Sequence, residues 1–149
     1  MKDCLIVLIL STVLGGCAPF PWAGAQVDAV AKKFPVKKGA AILYIYRETR
    51  GAPTTGVDVF IDVRKLGWMP TRSYFAVVVP PGKHILRSRM VDEEGDDAAL
   101  DLVAAPGVDY FMREEVTVGL FEKKHTLQFV HDDVGKAAVA KCRLIKATK

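Results

Sequence analysis

The sequence predicts an all-β protein, an antiparallel β-sandwich of about seven strands with a short C-terminal helix. From residue 39 onward, apolar residues alternate with polar ones or form short runs rich in Val, Ile, Tyr and Phe, as is typical of strands. Gly, Pro and Asp residues separate these runs at short intervals and predict turns. Many short strands joined by turns favour two packed sheets, and a small open barrel is the alternative.

Each predicted strand follows from its own pattern. Apolar residues at every second position of 57–63 predict a strand with one face in water, and Arg64-Lys65 is predicted to turn the chain after it. The stretch 73–79 lacks clean alternation and is predicted to be buried on both faces. The full set of predicted strands is 40–47, 57–63, 73–79, 83–90, 100–104, 108–118 and 125–130.

A tight turn and a helix are predicted from special residues. Pro80-Pro81-Gly82 predicts the turn, because Pro fixes φ and Gly accepts a positive φ. After the last strand, the Ala-rich spacing of 132–142 predicts a helix that begins with Asp132 as its N-cap. This helix is expected to cover an edge or one end of the sandwich.

The N-terminus has the pattern of a bacterial lipoprotein leader. Residues 4–14 are nearly all apolar, and they are too short to cross a membrane, which takes about 20 residues. They fit the apolar region of a secretory signal. Leu14-Gly15-Gly16-Cys17 follows and resembles the lipobox, in which the cysteine is acylated and the chain is cut before it. We expect a signal peptide over 1–16 and lipid attachment at Cys17; a signal peptide cut near residues 23–25 is the alternative.

Residues 17–38 are predicted to be the lipidated N-terminus and a tether, and 39–149 the sandwich domain. Three prolines stiffen the tether: Pro19, Pro21 and Pro35. Apolar residues at helical spacing over 27–34 favour a short amphipathic helix, lying on the domain or on the membrane, and a loose linker is the alternative.

Charge and cysteine content narrow the function classes. The chain has 149 residues and a formal net charge of +4, without a basic run interleaved with aromatic residues, so no nucleic-acid partner is expected. Of the three cysteines, Cys4 leaves with the leader and Cys17 carries lipid. Cys142 then has no partner for an intrachain disulfide, and we expect a buried small hydrophobe, with an exposed thiol as the alternative.

Five short motifs occur in an order that is similar to one protein family: ILYIYR, VFIDVRKLGWM, SYFAVVVPPGKHIL, YFMREEVTVG and AAVAKCRL. Together they resemble the bacterial envelope lipoproteins grouped under domain of unknown function 2846, over about residues 39–144. Trp68-Met69 departs from the family, which usually has a single aliphatic residue after the Gly. The Pro-Pro-Gly-Lys-His turn also resembles that of PEGA-type surface β-domains. The resemblance implies an envelope location and an accessory or binding role.

Two clusters near turns are candidates for ligand binding, but each has a plainer structural interpretation. Lys83 and His84 follow the Pro-Pro-Gly turn, and their position predicts that they serve the turn and the strand start. The acidic stretch 92–97 has the oxygens that Ca²⁺ prefers, but it lacks the alternating spacing of a calcium loop. A solvated loop is therefore expected.

Two further clusters lie on predicted strands. His125 is six residues from His131, which places them roughly 20 Å apart on a regular strand, too far to share a metal with Asp132 and Asp133. In the other cluster Arg113 shares a strand face with Glu115 and is expected to form a surface ion pair. Glu114 faces the opposite side, whereas paired hydrolytic carboxylates should face one cleft. A further candidate partner for a Glu is Arg47.

The expected function is non-catalytic. No Ser or Cys has a recognisable base beside it in the sequence, so no catalytic residue, metal or cofactor is expected. We expect a binding or scaffold module on a lipid-anchored envelope protein that faces the periplasm, at the outer membrane because Ala18 rather than Asp follows the cysteine. Its expected partners are the membrane, through the lipid, and an envelope protein. The alternative is a carrier with a pocket between the sheets. An enzyme would need His84, His125 or His131 to meet a carboxylate in a cleft.

Overall fold

The protein, described here by a computed structural model over residues 20–48, 56–91, 97–118 and 123–148, is a sandwich of two β-sheets with two short helices. The five-stranded sheet has the order β8-β7-β1-β4-β9, and the four-stranded sheet has the order β3-β2-β5-β6. The predicted sandwich is therefore confirmed. Its elements are α1 (Ala25–Ala31), β1 (Ala41–Arg47), β2 (Val57–Ile61), β3 (Arg64–Met69), β4 (Ser73–Val79), β5 (Gly82–Met90), β6 (Ala98–Ala104), β7 (Asp109–Val118), β8 (Lys123–Val130), α2 (Asp132–Ala140) and β9 (Arg143–Leu144).

The described residues contain nine strands rather than about seven. The turn predicted at Arg64-Lys65 is wrong, because the chain already reverses at Asp62-Val63 and then pairs β3 with β2. Asp62 adopts the left-handed φ of 53° in this turn, which Asp tolerates better than most residues. The two-residue strand β9 follows the C-terminal helix and was too short for a sequence pattern to indicate it.

The five-stranded sheet is mixed, although the sequence predicted antiparallel strands. Strand β1 pairs with β4 in antiparallel fashion but with β7 in parallel, and β4 pairs in parallel with β9. Parallel neighbours need a long connection. Here the connection between β1 and β7 contains β4 and all four strands of the four-stranded sheet.

Two apolar layers bury both faces of the central strands. Between the sheets, alternate residues such as Leu43, Ile45 and Phe75 are fully buried. On the outer face of the five-stranded sheet, Tyr44 and Tyr74 are buried in a second layer with residues of α2 and the segment that follows it. Strand β1 is therefore buried along its whole length, and β4 along most of it, as predicted for 73–79.

Helix α2 packs closely on the five-stranded sheet through Gly135. A Cβ atom at this position would lie 2.3 Å from the Cβ and Cγ atoms of Phe111, so only glycine lets the helix come this near. The predicted cap is wrong by one residue: His131 occupies the N-cap position without a capping hydrogen bond from its side chain. Asp132 is the first helical residue, and its carboxylate lies 3.7 Å from Lys136 Nζ. Neither described helix has the length and apolar character needed to cross a bilayer.

The N-terminal segment 20–23 pairs with the chain at and just beyond β9, the edge strand of the five-stranded sheet. Trp22 pairs in antiparallel fashion with Ile145, one residue beyond β9. Ala23 N donates to the carbonyl of Leu144 at 2.9 Å, and Lys146 N donates to the carbonyl of Pro21 at the same distance. Backbone pairing therefore continues past β9 onto a segment that begins three positions after the predicted lipid attachment site.

Helix α1 lies on the outer face of the same sheet, held by Asp28. Its Oδ1 atom accepts hydrogen bonds from Tyr74 Oη at 2.8 Å and from Leu144 N at 3.1 Å, while Lys32 Nζ lies 2.7 Å from Oδ2. Burial acts to raise the pKa of Asp28, but the hydrogen bonds from Lys32 and Tyr74 outweigh it and the pKa lies below its ordinary value. The sequence predicted a short helix that lies either on the domain or on the membrane, and α1 lies on the domain.

Candidate functional site

Part of the predicted chemistry lies outside the described residues. Cys17 lies outside them, and so do residues 92–96 of the acidic stretch. Asp97, which ends that stretch, forms a bidentate ion pair with Arg89, at 2.7 Å to Nε and 3.0 Å to Nη2. These hydrogen bonds lower the pKa of Asp97. Asp97 thus links β5 to the start of β6 at the surface.

His84 is locked into its turn by both ring nitrogens. Nδ1 lies 2.9 Å from Asp62 Oδ2, and Nε2 lies 2.9 Å from the carbonyl oxygen of Pro80. Both partners are acceptors, so the two bonds coexist only when the imidazole carries both protons. The bond to Asp62 is the main reason that the pKa of His84 is raised. His84 and Asp62 do meet in a surface cleft of about 240 Å³, but neither ring nitrogen is left to act on a substrate.

We expect the His84–Asp62 pair to make stability depend on pH. Because the pKa of His84 is raised above 6.5, its contribution is complete below pH 6.5 and is lost as the pH rises through the folded-state pKa. Because the pKa of Asp62 is lowered below 3.8, its contribution is present above pH 3.8 and is lost in more acidic solution. Urea unfolding at about pH 5 and about pH 9 should show a decrease in stability that His84→Gln reduces.

The matched control for this prediction is His131→Gln. The side chain of His131 is 85% exposed and pairs only locally with Asp133, at 2.8 Å. This variant should keep the parent's pH dependence. If His84→Gln also keeps it, the bonds at the turn do not hold the imidazolium in the folded state.

The interior holds a polar cluster that the sequence did not reveal, made of Arg47, Ser88, Glu114 and His125. Arg47 and Ser88 are fully buried, and Glu114 is almost so. Ser88 Oγ donates to Glu114 Oε2 at 2.8 Å and lies 3.2 Å from His125 Nδ1, which is itself 3.6 Å from Glu114 Oε1. Four strands, β1, β5, β7 and β8, supply one residue each, so the cluster joins the two sheets.

The geometry of the polar cluster differs from that of a nucleophile and its base. Ser88 Oγ donates its single hydroxyl proton to Glu114 Oε2, so that proton is directed at a carboxylate and not at His125 Nδ1, which lies 3.2 Å away. A serine nucleophile needs the opposite arrangement, with the imidazole taking the hydroxyl proton. The hydroxyl is also enclosed by the two sheets, which keeps it from a substrate. The cluster can anchor the sheets to each other through hydrogen bonds and charge.

Electrostatics within the polar cluster are dominated by burial. Burial lowers the pKa of Arg47, and the opposite charge of Glu114 counteracts this effect. The sequence offered Arg47 as a candidate partner for a Glu, and in the structure Glu114 is the carboxylate whose charge acts on it. The expected surface pair is also confirmed, since Arg113 Nη2 lies 3.5 Å from Glu115 Oε2 on the outer face.

The remaining candidates are separate from one another. His125 points between the sheets, whereas His131 is at the surface beside α2. Across the described ranges, no three His, Cys, Asp or Glu side chains are grouped closely enough to hold a metal ion. Cys142 is buried, as expected, and its Sγ donates to the carbonyl of Arg47 at 3.7 Å. Burial raises the pKa of this thiol to about 11, so it stays protonated at neutral pH.

A surface cleft of about 280 Å³, here called the edge cleft, opens where the edge strands β6 and β8 of the two sheets meet. Tyr110 Oη donates to the carbonyl of Val103 at 3.2 Å and accepts from Ala105 N at 3.0 Å, and so it links the sheets. Phe129 lies beside it, with ring centroids 6.4 Å apart. The residues that line the edge cleft are mainly apolar: Leu102, Val103, Tyr110, Phe111, Phe129 and Val130, with Asp109 and Asp132.

Two carboxylates give the edge cleft an acidic character. Burial raises the pKa of Asp109, with a further contribution from the nearby charge of Asp132, while Lys136 acts in the opposite direction. An apolar cleft with acidic groups suits a partner segment that carries apolar and basic side chains. Sequence reasoning missed this site because Asp109, Tyr110 and Phe129 have ordinary strand patterns. Only the meeting of two distant edge strands brings them together.

The chain is similar to an uncharacterized protein of Haemophilus influenzae, with 26% identity over 139 residues that cover 93% of this chain and 81% of that protein. No model of a known protein family matches the chain. The resemblance to the lipoproteins of domain of unknown function 2846 therefore stays a prediction. The similarity extends over nearly the whole chain, and the relative's name states no activity.

Proposed function

We propose that this chain is a lipoprotein of the bacterial cell envelope, anchored by acyl chains on Cys17, and that its sandwich is a non-catalytic binding or scaffold module. The observation that carries the proposal is the position of the lipobox-like Leu14-Gly15-Gly16-Cys17 just before segment 20–23, which pairs with the chain beyond β9. Cleavage before Cys17 removes none of the described residues. The family resemblance supports an envelope location, and Ala18 after the cysteine supports the periplasmic face of the outer membrane.

The mechanism of such a module is confinement at the membrane. A single acyl chain holds a protein only marginally, whereas two or more anchor it stably. Confinement raises the effective concentration of the sandwich near envelope partners without any new contact. The geometry of Ser88 and His84 supports a role without catalysis, since one is enclosed in the core and the other has both ring nitrogens engaged.

The edge cleft is the binding surface that we assign to this module. Strands β6 and β8 are terminal strands of their sheets, and an extended segment can add to such an edge through main-chain hydrogen bonds. Val103 is 69% exposed and Phe129 is 43% exposed beside it, so apolar side chains of the partner would find contacts there. The partner proposed is therefore an envelope protein with an extended apolar and basic segment.

A second candidate function is supported by the same cleft. Its volume of about 280 Å³ is close to the lower bound of about 300 Å³ for small-molecule pockets, and its walls come from both sheets. A carrier of a small apolar ligand or an envelope polymer would use it. The continuous layer of buried apolar side chains between the sheets favours the scaffold module, because a carrier of this fold would more naturally hold its ligand there.

Acylation at Cys17 is the first test. Intact-mass measurement of the membrane-extracted protein should show a chain that starts at Cys17 and carries added acyl mass. Cys17→Ala should accumulate as the uncleaved precursor, while Cys142→Ala, which also removes one thiol, should be processed like the parent. A mature chain that begins after Ala23 would contradict the anchor.

Binding at the edge cleft is the second test. A photo-crosslinking residue at Val103 should join the protein to one envelope protein in living cells, and Cys17→Ala should reduce that product. The control is the same residue at Val63, which is 95% exposed in the β2–β3 turn. Crosslinks to lipid or glycan from Val103, unchanged by Cys17→Ala, would favour the carrier instead.

A further inference from the structure

An aromatic patch lies where β3 and the N-terminal segment 20–23 meet at one edge of the sandwich. It consists of Phe20, Trp22, Trp68 and Arg143. The ring centroids of Phe20 and Trp22 are 4.4 Å apart, and Phe20 meets Trp68 edge to face at 5.7 Å. The Arg143 guanidinium lies over the Trp22 ring, 4.7 Å from its centroid. The patch thus combines three aromatic rings and one cation.

Chain length ties the aromatic patch to the proposed anchor. Phe20 is three positions after Cys17, and an extended chain advances at most about 3.6 Å per residue, so the two lie within about 11 Å of each other. The headgroup layer of one leaflet is about 5–8 Å thick, from a bilayer of about 40–45 Å with a core of about 30 Å. An acylated Cys17 sits at that layer. Phe20 must then lie at the membrane surface, and Trp22 and Trp68 lie close to Phe20.

The chemistry of the aromatic patch fits this position. Trp side chains are enriched at membrane interfaces, where an apolar ring and a polar N–H are both accommodated. Trp68 is 39% exposed although it belongs to a strand that packs on the core. Its cross-strand neighbour is Asp58, whose carboxylate is paired with Lys65. Arg143 is exposed, and its charge complements an anionic lipid surface.

We infer that the aromatic patch is a lipid-contacting surface, which holds the sandwich against an anionic bilayer in one orientation. This inference rests on the proposed lipid anchor and adds an orientation to it. The same orientation fixes the direction in which the edge cleft faces, because β6 and β3 are opposite edges of the four-stranded sheet. The cleft therefore faces away from the membrane, towards periplasmic partners.

The native tryptophans make the test direct, since the chain has only two and both lie in the aromatic patch. The full acylated protein is placed in vesicles of phosphatidylethanolamine and phosphatidylglycerol whose acyl chains carry bromine, a short-range quencher of indole fluorescence. The control chain carries Trp22→Phe, Trp68→Phe and Val103→Trp, which moves the reporter to the far edge. We expect fluorescence quenching several-fold stronger in the native chain than in the control chain.

The outcomes separate this inference from the proposed function. Quenching that is equal in both chains, or stronger in the control chain, overturns the proposed orientation. If mass measurement of the same sample still shows acylation, the lipid anchor stands without that orientation. An unacylated Cys17 overturns both. Arg143→Glu should weaken the quenching, and Lys83→Glu, an equal charge change on β5, should not. Strong quenching that vanishes when a native envelope extract is added would show that a protein, rather than lipid, covers the patch.

Discussion

Replacing Glu114 with Leu is expected to lower the free energy of unfolding by about 3–5 kcal/mol, the usual cost of removing one member of a buried charge pair. Arg47 is fully buried, and Glu114 is the nearby opposite charge that offsets its burial. The substitution also removes the acceptor for the Ser88 hydroxyl, and a buried polar group that loses its partner is destabilising by itself. Urea unfolding of the parent and the variant measures the difference.

The same strand provides the control for this prediction. Glu115→Leu removes a carboxylate from the outer face, where the pair with Arg113 is partly exposed, and it should cost less than about 1 kcal/mol. Arg47→Met combined with Glu114→Leu should be less destabilised than the sum of the single variants, because the double variant removes both buried charges together. Equal costs for Glu114→Leu and Glu115→Leu would contradict the structural role of the polar cluster.

Gly135→Ala is expected to destabilise the protein although alanine is the better helix former. Helix propensity by itself favours Ala over Gly by about 1 kcal/mol. The new Cβ would lie 2.3 Å from Phe111, in the layer between α2 and the sheet, so the helix or the ring must move. Overpacking of this kind typically costs about 1–3 kcal/mol. Thermal unfolding should therefore show a lower Tm for the variant.

Gly24→Ala is the matched control for the steric prediction. It makes the same chemical change next to the other helix, where a Cβ would meet no atom within 4 Å. Its Tm should stay near that of the parent. A Gly135→Ala protein as stable as Gly24→Ala would mean that α2 does not pack on Phe111 as closely as described.

Much of the local structure of this protein is readable from its sequence. Alternation over 57–61 and the apolar run of 73–79 predict the strands and their buried faces, because side chains on a strand point to opposite sides in turn. The short apolar run before Cys17 predicts an exported, acylated chain, because this signal is also carried by residues that are neighbours in the sequence. Strand β3 was missed because Arg64 and Lys65 look like turn residues, and the reversal depends on the backbone of Asp62 instead.

The sites depend on the tertiary structure. Glu114 and Glu115 are adjacent and identical in type, yet one is buried with Ser88 and the other faces solvent. Alternation predicts that they differ, but only the packing of β5 and β8 against β7 decides which one meets a serine and a histidine. Likewise, Trp22 and Trp68 are 46 positions apart in the chain, and pairing beyond β9 brings them to one edge. Local patterns encode backbone preference and face, whereas contacts between distant segments arise from the free energy of packing the whole chain.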